Sequence, residues 1–299
     1  MRKLRFIIAS LLIVQATLLS AAESAIGIIY PETKTPLDPI FQTIQEGIQL
    51  KLNGSGKTYR LDADSNAKTF HAWADKNHVK SIITLGRNAH RFVEKVNWSR
   101  KHITGGLYLL PDEKNTKGIS IFVDPKKVHE ALSDLFPSIR RVFIAGKTEK
   151  IWFDAANQSL SRPYFVFTPL PVKENIQTLV KYQWEALETL TPKTDALWLN
   201  GEIDETILYD LIEKAWKRRI PLITTNLSNL DQGVLIAFYP DNKKMGERLA
   251  EMALKQLRGQ PVPLEPLSHI SVGVNLRTAR HLGFNLKQSK QNVLDLILK

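Results

Sequence analysis

The sequence predicts an α/β fold divided into two lobes with parallel sheets. Three observations predict it. Short apolar runs of strand length alternate with amphipathic stretches of helical period through most of the chain. Strands joined by helical crossovers lie parallel, because a right-handed crossover returns its helix onto a face of the sheet. About nine such strands recur in 299 residues, more than one compact sheet holds, so they divide into lobes of four or five.

The elements follow in order. "MRKLR" supplies Arg2, Lys3 and Arg5, and the apolar "FIIASLLIVQATLL" behind it is too short for a comfortable membrane span. Small residues follow, and cleavage after Ala22 leaves Ser20 and Ala22 at the −3 and −1 positions. Residues 1–22 therefore read as a signal peptide. "AIGIIY" is the first strand, "PETKTPLDP" its loop, and "IFQTIQEGIQLKL" a helix with Ile40, Ile44, Ile48 and Leu52 at helical spacing. The pattern repeats. "TYRLDA" precedes the helix "NAKTFHAWADKN", "VKSIITLG" precedes "RNAHRFVEKV", and "HITGGLYLL" is the next strand. After the helix "DPKKVHEALSDLF" come the strands "RRVFIAG", "PYFVFTPL", "TDALWLNG" and "IPLITTN", with helices "KENIQTLVKYQWEALETL" and "DETILYDLIEKAWKRR" between the later ones. "GVLIAFYP" is the last strand of the alternation, and it runs straight into the basic helix "DNKKMGERLAEMALKQLRG".

Composition excludes several classes. A chain that is 43% hydrophobic buries a sizeable core. It has no cysteine, hence no disulfide, thiolate metal site, cysteine nucleophile or lipid attached at a cysteine. A soluble product of the periplasm fits that composition. Taking Arg2, Lys3 and Arg5 from 41 basic residues leaves 38 against 30 acidic, a net of +8. The basic residues are dispersed in short groups such as "RNAHR" and "SIRR", without the stripe and stacking aromatics of a nucleic-acid surface, so no nucleic-acid partner is expected.

Motifs exclude more. "GSGKT" lacks the first glycine of a phosphate loop, Lys51 standing there, and leads into a strand, so it is a turn. The seven histidines form no metal-ligand spacing. Neither a metal nor a cofactor is expected. "GEIDE" offers carboxylates for acid and base work, or equally a helix N-terminus that collects acids for its dipole. With no recognisable nucleophile and base, an enzyme is not expected.

Several segments carry a resemblance. "GVLIAFYPDNKKMGERLAEMALKQLRGQPV" and "ISVGVNLRTARHLGFNL" are similar to the closing segments of the ABC-transporter substrate-binding family with the type I periplasmic-binding fold, which includes tryptophan-binding proteins. "VKSIITLGRNAH", "NTKGIS", "LFPSIRRVFIAG" and the run from Thr194 to Val234 resemble that family's upstream segments in the same order. The resemblance implies two Rossmann-like lobes joined by a three-crossing hinge: 23–125 with 238–262, and 126–237 with 263–299. It also implies a monomeric periplasmic receptor that closes around a small ligand and delivers it to an ABC permease. The alternative is a sensing subunit for a membrane kinase or cyclase.

In α/β folds of this kind ligands bind at the carboxyl ends of the strands. Gly86 lets the backbone approach a ligand, and the amides from Arg87 through Asn88 to Ala89 receive a carboxylate. Tyr30, with Pro31 behind it, stands at the mouth of the site. By resemblance Asn115, Glu202 and Asn226 fall in ligand loops, with Glu202 suited to an ammonium. Arg87, Lys117 and Asn226 replace a small hydroxyl residue, a threonine and an aspartate of the family, which makes the expected pocket cationic and the ligand small and anionic or zwitterionic.

Overall fold

The computed structural model describes residues 26–33, 37–111, 116–146, 150–169, 176–199 and 203–299. The expected signal peptide lies outside them. No helix among the described residues is long and apolar enough to cross a membrane.

The chain forms two compact units. Unit 1 comprises residues up to Phe122 and Asp241–Leu267, and unit 2 comprises Val123–Pro240 and Ser268–Lys299. The chain thus passes between them three times. Unit 1 extends to Leu267, beyond the expected 262, because "PVPLEPL" contains a strand whose prolines mask the pattern.

Unit 1 is built on strands β1 (Ile26–Pro31), β2 (Lys57–Leu61), β3 (Ser81–Leu85), β4 (Lys101–Leu107) and β5 (Gly118–Val123), with a later strand at Leu264–Leu267. The last pairs beside β5, and the spatial order continues β4, β3, β1, β2, with β1 to β5 all parallel to their neighbours. β1 and β3 are buried along their whole length, as apolar runs covered on both faces must be. Helices α1 (Leu37–Lys51), α2 (Ala67–Lys76) and α3 (Gly86–Lys95) follow β1, β2 and β3. Asn66 and Thr69 fix the start of α2 by a reciprocal capping box. In α1, Ile44 and Ile48 are fully buried, as is Leu52 just after it, but Ile40 is exposed and Phe41 takes the inward position. A strict spacing of four drifts about 40° per step around a helix, so three steps carry Ile40 off the buried face.

Unit 2 opens with α4 (Pro125–Leu135), capped by Asp124, and its sheet contains β6 (Arg141–Gly146), β7 (Phe165–Pro169), β8 (Asp195–Leu199), β9 (Leu222–Thr224) and β10 (Ile236–Pro240). Helices α5 (Lys150–Asn157), α6 (Ile176–Thr189), α7 (Glu205–Arg218) and α8 (Asn229–Gln232) come between these strands. The chain then enters unit 1 as α9 (Asn242–Leu257) and β11 (Leu264–Leu267), and returns as β12 (Ile270–Asn275), α10 (Leu276–Leu282), α11 (Gln288–Gln291) and β13 (Leu296–Leu298). The sheet order is β13-β12-β10-β9-β8-β6-β7, and β12 runs antiparallel to β10. Among the described residues the sheets therefore hold six and seven strands, not four or five. The added strands are β5, β11, β12 and β13, of which β11 carries a proline and β13 is only three residues long.

Helix α9 lies against α1 at near backbone contact. A Cβ on Gly47 would stand 1.9 Å from the Lys243 carbonyl oxygen, and one on Gly246 would stand 2.0 Å from that of Ile44. Only glycine fits both positions.

Candidate functional site

In the order β3, β1, β2 the three parallel strands end at one edge of the unit 1 sheet. The Glu32 amide donates to the Leu61 carbonyl at 2.8 Å and extends the β1–β2 ladder by one residue, which brings Glu32 beside Asp62. A cavity of about 660 Å³ opens here, within the range of small-molecule sites. Its polar lining includes Glu32, Thr33, Asp62, Ser65 and Asn88, and Pro31, Leu61 and Phe92 give it apolar surface. Asp62 closes a local turn: its Oδ1 accepts from the Asp64 amide at 3.1 Å and from the Ser65 hydroxyl at 2.7 Å. The Ser65 hydroxyl bond holds the Asp62 carboxyl below its ordinary range, so it is ionised at neutral pH. Thr33 Oγ1 is buried and has no hydrogen-bond partner.

Helix α3 starts at this edge. Gly86, its first residue, has φ +81°, and a Cβ there would meet the Phe41 ring at 2.7 Å, so both conformation and space require glycine. Leu85 precedes it without a side-chain cap, which leaves the first amides of α3 without a capping side chain beside the cavity. Asn88 lines the cavity. Arg87 does not: it is exposed and makes no hydrogen bond or ion pair with the described residues.

Tyr30 lies within β1 and not after it. Its ring is buried 6.4 Å from Phe41, its hydroxyl donates to Gln45 Oε1 at 2.7 Å, and burial pushes its pKa up. It belongs to the packing of β1 on α1, while Pro31 lines the cavity. Asn115 and Glu202 fall outside the described residues. In "GEIDE", Asp204 caps α7 by accepting from the Thr206 amide at 3.0 Å. Asn226 follows β9 at the carboxyl edge of the unit 2 sheet, exposed, with its side-chain oxygen accepting from the Ser228 amide at 3.1 Å.

Lys117 lies at the other edge of the unit 1 sheet. Because β5 begins opposite Thr104, the first residues of β4 border a recess of about 740 Å³ lined by His90, His102, Lys101, Lys117 and Gln256. Several of its polar and charged groups are engaged. Arg100 donates to Asp75 and to the Val79 carbonyl, both at 2.6 Å, and Lys101 donates to the Gln256 and Leu257 carbonyls at the end of α9. His102 lies 2.8 Å from the Thr84 hydroxyl and 3.0 Å from that of Thr104, which also meets His90 at 3.0 Å. Burial, then the neighbouring His90, lowers the His102 pKa to about 4. The cationic residues expected at the ligand, Arg87 and Lys117, do not line the cavity at the carboxyl edge of unit 1. There the cavity carries two carboxylates, and the Arg87 side chain stands outside it.

Glu32, Thr33 and Asp62 were not among the residues expected from sequence. The usable signal was positional: Glu32 and Asp62 are polar residues just past two apolar strands, where parallel neighbours align.

No protein-family model matches the chain, and no curated protein matches it. Solved structures do. A ligand-free, open substrate-binding protein with adhesive properties from Clostridium difficile is 16% identical, aligned over 92% of this chain and 99% of its own, with a TM-score of 0.57. A conserved domain protein from Vibrio cholerae is 13% identical over 92% of this chain and 99% of its own, with a TM-score of 0.51. The two mostly parallel α/β sheets are those of a type I periplasmic-binding fold.

Proposed function

We propose that the protein is a periplasmic solute-binding protein of the ABC-transporter substrate-binding family, which captures a small zwitterionic ligand and hands it to an ABC permease. The observation that carries this reading is the cavity at the carboxyl edge of unit 1. It combines a start of α3 without a capping side chain, suited to a carboxylate, with the Glu32 and Asp62 carboxylates, suited to an ammonium. Of the anionic and zwitterionic alternatives, the two carboxylates favour the second. The role is binding and not catalysis. Export follows from the signal order of residues 1–22, and intact mass of the exported protein tests it: the account expects a chain beginning near Glu23, and a mature species retaining Met1 contradicts it.

A thermal-shift screen of amino acids, dicarboxylates, sugars and nucleosides tests the binding role. A ligand present at about a hundred times its dissociation constant adds about 2.7 kcal/mol to the stability of the native state. The account expects a hit among zwitterions. A screen without any hit contradicts it.

A further inference from the structure

We infer that Arg140, Arg141 and Arg162 form a binding site for a phosphate group at the amino edge of the unit 2 sheet, the edge opposite Asn226. The site goes beyond the receptor reading and does not depend on it. Strands β7, β6, β8 and β9 are parallel neighbours, so the chain enters all four at one edge. The segments that lead into them, 159–164, 137–140, 190–194 and 219–221, carry Arg162, Arg140, Lys193 and Arg219 in turn. None of the four segments carries an acidic residue. Backbone bonds hold the entries side by side: the Arg140 amide donates to the Thr194 carbonyl at 2.7 Å, and the Lys193 amide to the Arg219 carbonyl at 3.3 Å. Like charges set along one edge raise the local positive potential and draw in anions.

Arg140, Arg141 and Arg162 border one recess of about 320 Å³. Arg141 stands in register with Asp195, the buried first residue of β8, and donates to it from Nε at 2.9 Å and from Nη2 at 2.8 Å. Asp195 also accepts from the Thr191 amide at 2.9 Å, so its carboxylate is fully committed. That pair fixes the Arg141 guanidinium at the rim, while half of its side chain stays exposed. Arg140 and Arg162 are exposed and pair with no carboxylate among the described residues. Arg218, at the end of α7, is the contrasting case, because Glu188 neutralises it at 3.0 Å. Lys193 is not part of the site: a Cβ on Gly283 would lie 2.8 Å from its ammonium, which therefore sits at the end of α10, where the helix dipole favours a cation. The recess thus sets three guanidinium charges against the one carboxylate of Asp195, a net of +2. A phosphate group carries about −1.5 to −2 at neutral pH, and its oxygens match the guanidinium fork. A single carboxylate brings the same fork geometry with about half that charge.

The test has two arms, both on the full chain at low ionic strength: calorimetric titration with inorganic phosphate, and sedimentation on vesicles of phosphatidylglycerol in phosphatidylcholine. Binding is expected in at least one arm, weakened about tenfold by each of Arg140→Gln and Arg162→Gln. About 1 M sodium chloride should suppress it, because screening then acts within ~3 Å. Arg141 is left in place, since removing it strands the buried Asp195 carboxylate. The side chains of Arg140 and Arg162 are exposed, so both variants should fold, and an unchanged unfolding midpoint checks this. Arg91→Gln combined with Arg258→Gln removes two exposed cations of unit 1 and is expected to leave binding as it was. Vesicle binding assigns the phosphate to a lipid surface, and phosphate binding without vesicle binding assigns it to a soluble ligand; either supports the site. Binding in neither arm overturns it. So does binding that survives Arg140→Gln and Arg162→Gln unchanged, or that falls equally in the Arg91 and Arg258 variant, which makes it a property of net charge.

Discussion

The two edges of the unit 1 sheet both carry cavities, of about 740 Å³ at the amino edge and about 660 Å³ at the carboxyl edge. They differ in whether their polar groups are already satisfied. At the amino edge Arg100, Lys101, His90 and His102 all have partners, several of them backbone carbonyls just before β3 or at the end of α9. At the carboxyl edge Glu32 has no ion-pair partner among the described residues and Thr33 Oγ1 has no hydrogen-bond partner. The larger cavity is thus a built joint, and the smaller one is chemically open. Unspent hydrogen-bonding capacity, more than volume, distinguishes a binding edge from a structural one.

The amino edge should therefore answer to stability assays and the carboxyl edge to binding assays. The largest effect is expected from unseating α9, which supplies Gln256 to the amino edge. Gly246→Val drives a side chain into the Ile44 carbonyl and should cost about 4 kcal/mol or more, read as a fall in the urea midpoint. Next comes pH. His102 titrates near 6.5 when unfolded and about 4 when folded, so the unfolded chain binds the extra proton between those values. Stability is full above pH 6.5 and falls by roughly 3 kcal/mol as pH drops to 4. Urea unfolding at pH 7 and pH 4.5 should show that loss, and His102→Gln should flatten it. Lys101→Met, which removes the cation from the end of α9, should cost about 1 to 2 kcal/mol by the same assay. The smallest effect belongs to Glu32→Gln, within about 0.5 kcal/mol, because the exposed carboxylate makes no ion pair to lose. A stability loss for Glu32→Gln as large as for Lys101→Met would break the contrast between the edges.

The fold was largely legible because its signal is periodic. β1, β3 and β8 are buried throughout, and such strands read as continuous apolar runs. β11 was hidden by Pro263 and Pro266, and β13 is only three residues long. The site was less legible, because a cavity depends on which strand ends become neighbours. Gly86 was readable as a backbone requirement, and its positive φ agrees. Arg87 is exposed and lies outside the cavity, because helix position alone does not fix which way a long side chain leaves the first turn. Tyr30 was misjudged by one residue of strand length: β1 continues to Pro31, and the tyrosine is drawn into the packing against Phe41 and Gln45. Glu32 and Asp62 stand 30 positions apart in the sequence and become neighbours only through the β1–β2 register.

Hydrogen–deuterium exchange tests the central claim most directly, with and without the tightest-binding L-amino acid. The account predicts new protection at residues 31–33, 61–65 and 86–89, and unchanged exchange at 98–104 and 256–261. Protection confined to the amino edge, around His102 and Gln256, would contradict it.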